Sequence, residues 1–209
     1  MTISATTQGL RMGVATSSSR PTVPFDGQVI SETDTDSLQV YKGTAWGQAS
    51  GLVLIKAQTI GTGVTSVAVT AAFSATYDAY KITVTGGVGS ANSNINMVLG
   101  STTTGYYWCS VSSGFDGTGP YSAGAENISS FIATGLSQTS TLTLNLDVLA
   151  PYLSKITTVM GARTGAVAGS GGAYYGFQNT TTSFTDFTLS PTSGTLTGGT
   201  IRVYGYANS

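Results

Sequence analysis

Apolar residues along this chain fall into short alternating runs. The clearest is Thr141-Leu-Thr-Leu-Asn-Leu-Asp-Val148, in which Leu142, Leu144, Leu146 and Val148 point one way and polar residues the other. A period of two is the signature of a strand with one buried face. Tyr80, Ile82 and Val84 repeat it, and so do Ile95, Met97 and Leu99. The same reading predicts strands over 52–57, 65–70, 106–110, 128–133, 155–162, 173–178, 185–189 and 200–206. No stretch carries a sustained 3.6-residue apolar stripe with caps, so almost no helix is expected. The fold class is therefore all-β. An antiparallel β-sandwich is expected over 51–209, with a jelly roll as its topology. Gly-rich stretches at 86–89, 114–119, 165–172 and 194–199 are expected to be loops between its strands.

The first fifty residues read differently. Residues 1–19 are rich in Thr, Ser, Ala and Gly with few apolar anchors, and the prolines of 20–24 enforce an extended path. Residues 27–46 predict a compact hairpin, with Val29 and Ile30 in one strand and Leu38, Val40 and Tyr41 in the other. Thr33 to Asp36 supply the turn. This segment, 1–50, has too few apolar positions for a core of its own. Its order is expected to come from burying Leu10, Val14, Val29, Val40 and Trp46 against a neighbouring chain, as an anchoring arm.

Composition narrows the function. Only 8% of the 209 residues are charged, against about 25% in an ordinary soluble domain. The formal net charge is −1. Weak charge favours association, and sheet edges without Lys or Pro guards invite neighbours, so an assembly protein is expected, a homo-oligomer. There is no His, which excludes a Ser-His-Asp triad and an imidazole proton shuttle. The single Cys109 excludes an intrachain disulfide and a cysteine zinc cluster, and it is expected to be a buried, inert thiol. Eight scattered Lys and Arg make no basic stripe, so nucleic acid is not an expected partner. No apolar run reaches the roughly 20 residues of a membrane helix, so membrane insertion is not expected. The start of the chain lacks a basic region followed by an apolar one, which predicts no signal peptide and synthesis in a cytoplasm.

Carboxylates are the remaining catalytic option. Glu32, Asp34 and Asp36 cluster in the hairpin turn, where turn chemistry outweighs a weak calcium site. Asp116 and Glu126 flank the polar stretch 112–127, expected to be a loop that leaves their separation unfixed. No catalytic residue, cofactor or metal is expected, and the chain reads as no enzyme. Aromatic residues are the better candidates. Tyr107, Tyr121, Tyr174 and Tyr175 are candidate contacts for a glycan or a protein partner, with core packing as the competing role.

Residues 20–46 also carry a resemblance. Arg20-Pro21, Gly27-Gln28, Glu32-Thr33-Asp34-Thr35, an apolar strand and Gly43-Thr44-Ala45-Trp46 follow one another in order. That series resembles a short module of tailed-bacteriophage virion proteins. Phe73-Ser-Ala-Thr-Tyr-Asp-Ala-Tyr-Lys-Ile-Thr-Val84 and the segment from Ser193 to Tyr206 resemble phage structural proteins of the fibre and capsid-decoration types. The resemblance implies a non-enzymatic virion component, located on the virion and built from trimers. It implies other virion proteins, of capsid or tail, as partners. The alternative is a receptor-binding adhesin that recognises host surface glycan.

Overall fold

The computed structural model describes residues 12–49, 51–165 and 169–207, so Leu10 lies outside the described residues. The chain divides into two compact units between Gly51 and Leu52. All regular structure among the described residues is β; none of it is helix.

The first unit is a four-stranded sheet in the order β1 (Gly13–Ala15), β2 (Val29–Glu32), β3 (Ser37–Tyr41) and β4 (Trp46–Gln48). The predicted hairpin is β2–β3, with Ile30 opposite Gln39 and Ser31 opposite Leu38. β1 pairs parallel to β2, so part of the Thr/Ser-rich arm lies on the hairpin of its own chain. The buried side of this sheet is largely polar. Ile30, Glu32 and Gln39 are buried, whereas Val29, Leu38 and Val14 are exposed.

The larger unit holds β5 (Leu52–Thr59), β6 (Val67–Val69), β7 (Ala79–Thr85), β8 (Val88–Gly89), β9 (Ser93–Leu99), β10 (Tyr106–Gly114) and β11 (Tyr121–Ile128). It continues with β12 (Phe131–Ser137), β13 (Leu142–Leu149), β14 (Thr157–Gly165), β15 (Ser170–Gln178), β16 (Phe187–Pro191), β17 (Leu196–Thr197) and β18 (Thr200–Tyr206). Every strand pair in it is antiparallel. β13 is the branch point. One of its edges pairs with β7 along Leu144 to Leu149. The other is divided: Leu142 to Leu144 pair with β12, and Leu146 to Leu149 pair with β14.

That division produces two layers, giving a β-sandwich. One runs β11–β10–β15–β14–β13–β7–β18–β5; the other runs β12–β9–β16–β6. Their facing sides make the core. Tyr80 and Ile82 of β7, Leu142 through Val148 of β13 at alternate positions, and Ile201 and Val203 of β18 meet residues of the smaller layer. These include Ile95, Met97 and Leu99 of β9, and Phe187 and Leu189 of β16. Aromatic pairs tie the core, such as Phe73 edge-on to Tyr80 at 4.8 Å and Tyr106 edge-on to Phe131 at 4.8 Å. A jelly roll is a narrower description than this order establishes.

Several expected boundaries move. The stretch 112–127 is not a loop but the end of β10 and most of β11, joined by a tip at 115–120. Residues 128–133 straddle a break between two strands instead of forming one. β12 carries a bulge between Phe131 and Gly135, and Ala133 there takes a left-handed conformation at φ 65°. The loop expected over 165–172 is shorter, because β14 runs to Gly165 and β15 begins at Ser170.

Glycine sits at both positions where the shared edge is divided. Gly135 of β12 lies opposite Leu144, and Gly161 of β14 lies opposite Leu146. A Cβ at Gly135 would run into the carbonyl oxygen of Thr143, and one at Gly161 into that of Asn145. Backbone atoms cannot step aside as a side chain can. Gly135→Ala and Gly161→Ala are each expected to cost about 1–3 kcal/mol. Gly51→Ala, whose new methyl group meets nothing within 4 Å, is expected to cost less than about 0.5 kcal/mol. Denaturant midpoints of the three variants check this, and equal midpoints would contradict it.

Candidate functional site

The outer face of the larger layer carries the main surface feature. In the ladder, Cys109 of β10 lies opposite Tyr175 of β15, and Tyr175 lies opposite Met160 of β14. One pair along, Tyr107 lies opposite Phe177, and Phe177 opposite Thr158. Val111, Ala173 and Ala162 form the next row. Residues directly opposite one another share a face, so these three rows make one apolar panel. Tyr175 and Val111 are each 52% exposed, and Met160 and Phe177 are exposed beside them. The rings of Tyr107 and Phe177 stack nearly parallel, 4.6 Å apart, over a shallow cleft of about 460 Å³. Cys109 is exposed at the centre of the panel, a correction to the expected buried thiol. The period places it there, because its neighbours Trp108 and Ser110 take the inward positions.

Ionic groups bound the panel without entering it. Asp147 of β13 accepts from Lys81 Nζ at 3.0 Å and from the Tyr206 hydroxyl at 2.6 Å. Donation to Asp147 pushes the Tyr206 hydroxyl up to about 12. Glu126 of β11 lies at the opposite margin of the cleft.

The four tyrosines named from sequence separate. Tyr107 and Tyr175 come together on the outer panel. Tyr174, one residue from Tyr175, points the other way and is fully buried, so it is a core residue and not a surface contact. Its ring stacks on Trp108 at 5.8 Å, and burial pushes its hydroxyl far above the ordinary phenol range. Tyr121 is 54% exposed and lies opposite Ser112, at the base of the β10–β11 tip. There it lines a second cleft of about 530 Å³ with Phe115, Asp116, Thr118 and Ser170. Phe177, Met160, Val111 and Phe115 went unread from sequence. The signal was present in Tyr175-Gly-Phe177 and in Cys109-Ser-Val111, where apolar residues two apart must share a face.

The anchor residues of the first unit divide too. Val14 and Val29 are exposed, on the face opposite the buried Ile30. Val40 pairs with Val29 on that face and is half-buried. Trp46 pairs with Tyr41 on the other face, their rings 5.5 Å apart, and is half-buried.

The carboxylates are occupied or apart. Glu32 is fully buried and takes a two-pronged contact from the Arg20 guanidinium, Nη2 to Oε2 being 3.0 Å, with the Thr35 hydroxyl at 2.7 Å. Asp34 accepts from the Ser17 amide at 2.9 Å and from its hydroxyl. These two turn acids therefore fasten the arm instead of converging on an ion, and no metal-binding cluster occurs among the described residues. Asp116 sits at the hairpin tip, bonded to Thr118, and Glu126 sits near the strand's other end. Five or more residues of extended chain put them roughly 20 Å apart, beyond the span of a carboxylate pair acting on one glycosidic bond.

No protein-family model matches the chain, and no curated protein matches it. One solved structure aligns, the crystal structure of infectious bursal disease virus VP2 subviral particle. It is 10% identical, with 91% of this chain and 50% of that chain covered, at a TM-score of 0.13. The chain spans half the length of that structure, and so low a score carries no argument.

The Arg20–Glu32 pair gives the first unit a pH dependence. The guanidinium holds the Glu32 carboxyl below the usual carboxylate range. Its stabilisation is full above the unfolded value of about 4.3 and is lost as pH falls through the lower folded value. Amide protection at Ile30 and Glu32, taken against the intrinsic exchange rate at each pH, is expected to fall below about pH 4. Arg20→Ala, which strands a buried carboxylate, is expected to cost this sheet about 2–3 kcal/mol at neutral pH. Exchange rates unchanged in the variant would refute the role given to the pair.

Proposed function

We propose that this chain is a non-enzymatic structural protein of a tailed-bacteriophage virion. It is a homo-oligomeric projection, a trimer of fibre or capsid-decoration type, attached through residues 1–50. The observation that carries the reading is the coincidence of motif and fold in the first unit. The Arg-Pro and Glu-Thr-Asp-Thr elements of the phage-like module supply Arg20, Glu32, Asp34 and Thr35. Those side chains fasten the arm to the hairpin. The motif is thus a set of structural staples for a small sheet whose exposed face carries Val14, Val29 and Leu38. Such a face supports attachment to another protein, either capsid or tail.

A second reading, a receptor-binding adhesin, is favoured by the cleft at the β10–β11 tip. Phe115 and Tyr121 offer exposed rings for the apolar face of a sugar, and Asp116, Thr118 and Ser170 offer hydrogen bonds to its hydroxyls. Binding to a host-glycan array, abolished by Phe115→Ala, is the mark of this reading.

Val14→Asp with Val29→Asp tests the attachment. Both positions are exposed, so the circular dichroism of the purified variant should match the parent. Its occupancy in imaged virions should fall at least fivefold. Normal occupancy would remove the first unit as the anchor, and absence of the parent protein from virions would remove the reading.

A further inference from the structure

We propose that the outer face of β10, β15 and β14 is the surface through which this chain packs on a second copy of itself. The inference rests on the oligomeric part of the reading above and names the surface responsible. Exposed apolar side chains scattered singly are ordinary, but a contiguous set is not. Here Tyr107, Cys109 and Val111 stand beside Phe177, Tyr175 and Met160 in register across three strands.

Three observations point to a copy as the occupant. Charge comes first. None of the outward residues of those three strands is charged; of the acids at the margins, Asp147 is already met by Lys81 and Tyr206, and Glu126 stands on β11 at the edge of the cleft. Two copies brought face to face therefore meet no like charge over the panel itself. An acidic or basic partner finds no counter-charge on the panel, and a sugar finds few hydroxyls around its rings.

Size is the second. The panel with the adjoining β11, four strands at about 4.8 Å spacing and each about nine residues long, spans about 19 by 30 Å, on the order of 570 Å². A specific interface buries upwards of about 1,000 Å² over both partners together. Two such faces together reach that area, with an apolar centre, the Lys81–Asp147 pair beyond β14 and Glu126 at the opposite margin.

Continuity is the third. The adjoining edge strand β11 is exposed along nearly its whole length. Its sequence, Tyr121-Ser-Ala-Gly-Ala-Glu-Asn-Ile128, contains no Lys or Pro to repel a neighbouring strand.

The chain's only cysteine lies at the centre of this panel, which makes it a reporter. The experiment is light scattering of the full chain at micromolar concentration, with the rate of Cys109 alkylation by a charged maleimide measured in parallel. Tyr175→Lys and Val111→Lys are made at exposed positions, and their folding is checked by circular dichroism. The expected result is an oligomeric parent whose Cys109 reacts at least tenfold more slowly than in the variants. The variants should be monomers of about 21 kDa. If the parent is oligomeric but its Cys109 reacts at a free-thiol rate, the interface lies elsewhere and only this inference falls. The same holds if folded variants keep the oligomer, or if Tyr175→Lys loses binding on a glycan array with its mass unchanged. A monomeric parent overturns the oligomeric reading itself. Should a variant fail to fold, the alkylation rate of the parent decides alone.

Discussion

β13 has two edges and three partners, and the architecture of the larger unit follows from how it divides them. One edge goes wholly to β7, while the other is split between β12 at Leu142 to Leu144 and β14 at Leu146 to Leu149. Two strands can share one edge only if they part within a residue or two, and their backbones must then crowd that of β13. Gly135 and Gly161 allow the approach, since a Cβ at either would strike a β13 carbonyl. Past the fork the strands follow different layers. The strictly alternating leucines of β13 thus form a seam at which both layers join.

Unequal layers are the consequence. Eight strands face four, so the smaller layer covers only part of the larger one, and β10 and β11 extend past the core with much of their surface open. In most proteins Lys and Glu would occupy such strands. Here the charged fraction is 8%, and the outward positions of β10, β15 and β14 hold aromatic, thioether and methyl groups instead. The first unit shows the same economy of charge in reverse. It commits Arg20 to a buried Glu32 and leaves Val14, Val29 and Leu38 in solvent. Both units therefore present apolar sheet faces.

The β class and most strands were legible in the sequence because one buried face imposes a period of two. The alternation of Leu142, Leu144, Leu146 and Val148 marked β13 directly, and all four are buried. The fork was not legible, since nothing in a strand's own pattern tells which partners will claim its edges. β11 was read as loop for a related reason. Its small and polar residues carry no apolar face, and its order comes from the ladder to β10. In the first unit, the hairpin was legible but the contact that fills its buried side was not. The Arg20–Glu32 pair could not be read, because a salt bridge across twelve residues has no signature in hydropathy. Tyr174 and Tyr175 mark the limit for the surface. Adjacent tyrosines must face opposite ways, but only the layers decide which one meets the core.

The divided edge of β13 is tested most directly by backbone contacts in solution, measured as interstrand nuclear Overhauser effects. The account predicts that Leu144 reports contacts to both Val84 and Gly135, and that Leu146, two residues on, reports contacts to Ile82 and Gly161. Contacts from Leu144 to Arg163 in place of Gly135 would mean that β14 holds the whole edge. The sheet would then not fork, and the two-layer architecture described here would be wrong.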